Sequence, residues 1–232
     1  MTKYSLSSPP KHTAGAHQGV GCASLLRSPF YLVLLILAIF LMANGKTTQP
    51  WDLAADQSAD SAAGQSQSGL SQLFTPEVLY WEENILRWAA NWDLDPNLVA
   101  AVMQIESCGD PTALSPAGAI GLFQVMPYHF QSSDNPYHPE TNALRGMAYL
   151  KEAFDTYGSI RLSLAGYNGG IAGAAKPENT WSDETSGYVY WGTNIYQDAA
   201  AGRNSSPTLD EWLMSGGASL CSQADLRLGL TP

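Results

Sequence analysis

Hydrophobic positions along the chain fall into three regimes. Residues 29–43 (PFYLVLLILAIFLMA) are almost uninterruptedly apolar, residues 44–72 carry few large apolar side chains, and from Phe74 onward apolar residues recur at helical spacing. In the third regime Val78, Trp81, Ile85, Trp88 and Ala89 line up on one face of a predicted helix entered through Thr75-Pro76-Glu77. A second helix opens at Asp95-Pro96 and runs through Val99, Val102, Met103 and Glu106. Further on, the pattern predicts a short helical segment near Ile120 to Val125 and a polar loop from Tyr128 to Pro139. Helices are then expected over residues 141–158, Ile160 to Tyr167 and Asp183 to Ala200, with one or two helical turns each at Thr208 to Leu213 and Ala224 to Leu228. Few stretches alternate at period two, so an all-α domain with little strand is expected.

The first two regimes set the organisation. Residues 1–28 form a basic segment, and residues 1–51 hold Lys3, Lys11, Arg27 and Lys46 with no acidic residue. The following run of about fifteen apolar residues reads as a signal peptide or an uncleaved signal anchor, short for a full span of about twenty. Retained, it would leave everything after Lys46 outside the cytoplasmic membrane. Cys22 precedes the apolar run, the reverse of a lipoprotein signal, so lipidation is not expected. Residues 44–72, rich in Ser, Gln, Ala, Gly and Asp, read as a flexible linker. Residues 73–202 are the expected catalytic domain, and residues 203–232 a tail that packs on it to cover Trp212, Leu213 and Leu220.

The candidate chemistry sits at the end of the second helix. Glu106 continues the face of Val99, Val102 and Met103, so its carboxyl should lose water and its pKa should rise, as a general acid requires. The bland alternative is a helix-end Glu leaning into solvent. The residues that follow weigh against it: Ser107, then Ser115-Pro116-Ala117-Gly118-Ala119-Ile120-Gly121-Leu122-Phe123-Gln124-Val125-Met126-Pro127, later Ala165-Gly166-Tyr167-Asn168, and Glu184-Thr185-Ser186-Gly187-Tyr188-Val189. This ordered set resembles the soluble-type lytic transglycosylases, lysozyme-like enzymes that cleave bacterial peptidoglycan, over about Leu94 to Tyr190. Phe123 stands where that family usually has Met, Gly166 where it usually has Ala, and Cys108 follows the Glu-Ser pair.

The resemblance implies that Glu106 acts alone, first as acid and then as base, to cleave the bond between N-acetylmuramic acid and N-acetylglucosamine with a 1,6-anhydro product. By position Ser115 is expected to orient the acetamido or 6-hydroxyl group. Gln124 and Met126 should line the groove floor, while Tyr167 and Asn168 face the reacting sugar, with Tyr167 suited to hydrogen-bond near Glu106. Glu184 should contact the N-acetyl group or stem peptide, or brace the Tyr167 loop. Asp110, Asp134, Glu140 and Glu184 are the possible second carboxylates of a two-carboxylate glycosidase, and the sequence singles out none of them. Tyr128, Tyr137, Tyr188 and Trp191 are further candidates for sugar contact. Two rivals remain open: a hydrolytic muramidase of the same fold, and a wall-binding module without catalysis.

Charge and cysteines narrow the partners. The net charge is −10, and the portion after Lys46 holds seven basic and twenty-one acidic residues, a net −14. That argues against nucleic acid. The expected partners are peptidoglycan strands and, through residues 29–43, the membrane; the protein is expected to act as a monomer, outside the cytoplasm, on the membrane face or secreted to the wall. Cys108 and Cys221 form an even external pair and an expected disulfide, although two free buried thiols remain the alternative. His129 and His138 belong to no zinc-binding spacing, and the glycine-rich stretch at Gly166 to Gly173 lacks the Lys of a phosphate loop. No metal and no cofactor are expected.

Overall fold

A computed structural model of the chain describes residues 69–230. The expected basic segment, the anchor or signal peptide at 29–43, and all but the end of the expected linker lie outside the described residues. Among the described residues no helix is long and apolar enough to cross a membrane. The regular elements of these residues are all helical, with two isolated β-bridges as the only extended pairing described.

The helices are α1 (Pro76–Leu79), α2 (Glu82–Trp92), α3 (Pro96–Ser107), α4 (Pro139–Tyr157), α5 (Ile160–Gly169), α6 (Ile171–Ala174), α7 (Asp183–Ala200), α8 (Pro207–Trp212) and α9 (Ala218–Leu228), with short 3-10 turns at Pro127–His129 and Glu178–Thr180. Helix α3 is the centre. Its side chains from Leu98 to Ile105 are buried on every face, with α2, α7 and α9 packed around it. An all-round buried helix needs its termini satisfied. Asp95 caps the start by accepting from the Asn97 N–H at 2.8 Å, and Pro96 occupies the first turn, where its missing N–H costs nothing. The single polar side chain within its buried span, Gln104, accepts from the Thr75 N–H and Thr75 hydroxyl, both at 3.2 Å. Thr75 thus begins α1 without capping it by its side chain, because its hydroxyl is committed to α3.

Two expected elements differ in the structure. The predicted helix through Val78 and Ala89 is broken at Tyr80–Trp81, where Trp81 adopts φ −95° and ψ 9° and its indole N–H donates to the Gly109 carbonyl at 2.9 Å. The segment from Ile120 to Val125 is not helical. Gly121 and Gln124 both take positive φ (75° and 44°), and Ile120 exchanges backbone hydrogen bonds with Val125 at 3.0 Å in each direction. Two left-handed residues within four positions cannot continue a right-handed helix. The apolar residues that suggested one, Leu122 and Phe123, are buried by the turn instead.

The folded body also reaches beyond the boundary expected at residue 73. Leu70 and Ser71 are already buried, and their backbone N–H groups donate to Glu82 Oε1 and Asn97 Oδ1. At the other end, Leu209 and Trp212 of α8 are buried and α9 packs on α1 and α3. Where the sequence suggested only a turn or two at Ala224 to Leu228, α9 begins at Ala218 after a π-helical turn at Leu213–Gly217. Cys108, the C-cap of α3, is bonded to Cys221 of α9 with a Cα–Cα distance of 4.9 Å. With its ends 113 positions apart in sequence, this bond constrains the unfolded chain strongly. Cys221→Ala is expected to lower unfolding free energy by about 3 to 5 kcal/mol. Chemical denaturation without reductant checks this, and dithiothreitol should destabilise the wild type while leaving the variant unmoved.

Candidate active site

Helix α3 ends in the site. Glu106 lies in its last turn, and Ser107 turns the other way: its hydroxyl donates to the Leu122 carbonyl at 2.8 Å and accepts from the Gly109 N–H at 3.1 Å. The end of the acid-bearing helix is thereby tied to the loop of residues 114–126. That loop is held from the opposite side by a buried residue of α4. Asn142 accepts from the Phe123 N–H at 2.9 Å and donates to the Ile120 and Pro136 carbonyls at 2.7 and 3.0 Å. One buried amide thus bonds three backbone groups, two of them in this irregular loop.

Loop and helices enclose a pocket of about 370 Å³. Glu106, Ser115, Gln124, Met126, Tyr167, Asn168 and Glu184 all line it. The structure therefore brings together these seven candidates, while the further candidates Asp110, Asp134, Tyr137, Glu140, Tyr188 and Trp191 do not line the pocket. Their local roles are more specific. Ser115 braces its own turn, its hydroxyl oxygen accepting from the Ala119 N–H at 2.9 Å, which leaves the hydroxyl proton available to a ligand. Gln124 turns its amide N–H groups back onto the Gly121 and Ala113 carbonyls. Asn168 accepts from the Thr185 hydroxyl at 2.8 Å and so joins α5 to α7. The Tyr167 hydroxyl, expected near the Glu106 carboxyl, donates to the Phe123 carbonyl at 2.7 Å. It braces the loop beneath the acid.

Close approach of α4 makes this bond possible. A Cβ at Gly146 would lie 2.7 Å from Phe123 Cβ and 3.3 Å from the Tyr167 hydroxyl, so only glycine fits there.

Glu106 keeps part of its surface open to the pocket, while the surrounding protein excludes most of the water its charge would need. Burial pushes its pKa from 4.5 up to about 8. The Tyr188 hydroxyl, buried and facing the carboxyl without reaching ordinary hydrogen-bond geometry, offsets part of that rise, and the charge of Glu184 adds to it. Tyr188 sits behind the acid, not in the wall of the pocket. Of the possible second carboxylates, only Glu184 lines the pocket. Asp110 is buried among its own loop and accepts from Thr112; Asp134 pairs with Arg145; Glu140 pairs with Arg87 and accepts from the Trp88 indole.

Sequence reasoning missed part of the wall. Tyr128, His129, Tyr149, Tyr167 and Tyr188 form a succession of rings with centroid spacings of 4.6, 4.6, 5.9 and 6.5 Å, leading from the exposed rim to the acid. His129 and Tyr149 carried no motif to mark them, and Tyr149 is one apolar position among many on α4. Tyr137 and Trp191 do not line the pocket: Tyr137 is exposed elsewhere, and Trp191 packs against the core.

Residues 83–186 match the model of the transglycosylase SLT domain. A transglycosylase of Enterobacteria phage PRD1 is 40% identical over 113 residues, which cover 48% of this chain and 41% of that one. The soluble lytic murein transglycosylase of Escherichia coli (strain K12) is 28% identical over 154 residues, covering 61% of this chain and 22% of that one. Among solved structures, lytic transglycosylase Slt of Pseudomonas aeruginosa aligns with a TM-score of 0.44 at 23% identity, over 54% of this chain and 25% of that one. The chain thus spans less than half the length of either sequence relative.

A stability measurement tests the state of Glu106. Because its folded pKa is raised, the unfolded chain releases a proton from pH 4.5 upward that the folded chain keeps until about pH 8, so wild-type stability falls across that window. Glu106→Gln cannot titrate and escapes this loss. Its melting temperature relative to wild type should therefore rise between pH 4.5 and 8, measured by calorimetry in a buffer series.

Proposed function

Because residues 83–186 are a transglycosylase SLT domain, we propose that this protein is a peptidoglycan lytic transglycosylase, with Glu106 as its single acid and base. The observation that carries the reading is a pocket whose one strongly raised carboxyl, at about 8, is still protonated at neutral pH. Glu106 gives its proton to the oxygen between N-acetylmuramic acid and N-acetylglucosamine. The substrate's acetamido group stabilises the cation that develops at C1. Glu106, now ionised, takes the proton of the muramyl 6-hydroxyl, and that oxygen attacks C1 to close a 1,6-anhydro ring. Since the nucleophile belongs to the substrate, its effective concentration is high and no water has to be activated. That Ser115 and Asn168 line the pocket supports a role for them in holding polar groups of the reacting sugar, and the ring succession from Tyr128 supports apolar contact with the glycan.

One observation favours a second reading. Glu184 lines the same pocket and raises the pKa of Glu106, so a second carboxylate stands within electrostatic reach of the acid. If it activated water, the enzyme would be a muramidase and its products would carry reducing ends.

The Cys108–Cys221 bond supports a location outside the reducing cytoplasm. We place the domain on the outer face of the membrane or in the wall, with residues 29–43 as anchor or signal and residues 44–68 as the linker to the folded body.

Glu106→Gln is expected to lower lysis of purified peptidoglycan by at least about a thousandfold while preserving the fold, because the amide keeps the shape and removes the proton. Mass spectrometry of wild-type digests should return muropeptides with 1,6-anhydro ends. Reducing ends in their place would decide for the muramidase, and a variant retaining a tenth of wild-type activity would assign the acid to another residue.

A further inference from the structure

Among the arginines and lysines of the described residues, Arg145 alone lines the catalytic pocket. It does so from α4, one position before the glycine that lets this helix approach Phe123. Its Nε donates to Asp134 Oδ2 at 2.7 Å, and the same oxygen accepts from the Gln131 N–H at 2.8 Å. The carboxylate that holds the arginine is thus itself fixed in its turn. A guanidinium carries five N–H donors in one plane and no acceptor. One of them is spent on Asp134, while the Nη1 and Nη2 groups of Arg145 have no hydrogen-bond partner among the described residues. With its side chain only 19% exposed, Arg145 brings a fork of donors, already oriented, to the pocket wall.

Apolar surface lies beside that fork. Tyr149 is one turn further along α4, on the same side of the helix, and also lines the pocket. The His129 ring packs on Tyr149 with centroids 4.6 Å apart. An acetamide suits such a wall, since its carbonyl accepts and its methyl is apolar. The acid is elsewhere in the pocket. The charge that acts on Glu106 is that of Glu184, and Tyr149 stands two ring contacts away from Tyr188, the tyrosine that faces the acid. A sugar held at Arg145 therefore lies along the strand from the reacting muramyl centre, and in an alternating glycan the units flanking a muramyl residue are glucosamines.

We propose that Arg145 is a specificity-determining residue: held by Asp134, its guanidinium donates to the acetamido carbonyl of a flanking N-acetylglucosamine and disfavours strands in which that amide has been removed. Loss of the acetyl group replaces an acceptor by an ammonium, which has only donors and bears the same charge as the guanidinium, so the contact is lost and a repulsion takes its place. The inference rests on the peptidoglycan reading above and adds to it a dependence on the N-acetylation of glucosamine.

The test uses the full chain and two substrates: fully N-acetylated glycan strands, and the same strands with the glucosamine units N-deacetylated and the muramyl acetamides intact. Wild type should have the higher kcat/KM on acetylated strands. Arg145→Gln should lower kcat/KM on those strands by roughly tenfold, through KM, and leave the deacetylated strands no worse cleaved, so that the preference closes. An arginine that only fastened the Asp134 turn to α4 would cost both substrates alike; that result, or no loss on either, would overturn the proposal. Arg145→Lys keeps a cation opposite Asp134 but not the planar fork, and should lose on acetylated strands as well. Full activity of this variant there would equally overturn it. A wild type that cleaves both substrates equally refutes the selection, whereas one inert towards both refutes the lytic reading itself, and the inference with it.

Discussion

The structure depends on one helix being buried on all sides. Helix α3 carries no charged side chain before Glu106, and from Leu98 to Ile105 every residue is covered by protein. Such a helix is costly to expose and therefore fixed in place, so its last turn is a rigid mount. A carboxyl mounted there meets protein on most sides and a pocket on one. Its raised pKa follows first from that burial, and the charge of Glu184 adds to it. The neighbours that might have returned the acid to an ordinary value do so only in part, because Tyr188 faces it without a formed hydrogen bond.

The rest of the site is built to keep that mount and its opposing loop in register. Ser107 binds the loop at Leu122, Asn142 binds it at Ile120 and Phe123, and Tyr167 binds it at the Phe123 carbonyl. Helices α3, α4 and α5 thus each contribute one side-chain hydrogen bond or more to a loop with no regular structure of its own. Gly146 allows the approach that brings these three together. The disulfide works at the same helix end from the opposite side, fastening α9 beside the C-cap of α3.

Much of this was legible in the chain because it is local. The Asp95-Pro96 start of α3, the Asp183–Ala200 helix and the Cys108–Cys221 pairing follow from cap chemistry, periodicity and cysteine arithmetic. The face assigned to Glu106 was less informative than it looked: Val99, Val102 and Met103 do not mark one buried side, because all sides of α3 are buried. The stretch from Ile120 to Val125 misled for a related reason. Its apolar content reports burial, but the positive φ of Gly121 and Gln124 reports a turn, and a period argument over six residues cannot tell the two apart. Asn142, His129 and Tyr149 meet partners distant in sequence, so nothing near them announces a role.

The central claim is that Glu106 is held protonated by its surroundings. The most direct measurement is a carbon-13 titration of its side-chain carboxyl in the intact protein, assigned by comparison with Glu106→Gln. The account predicts a midpoint near pH 8. A midpoint near 4.5 would show an acid already ionised at neutral pH and would contradict it.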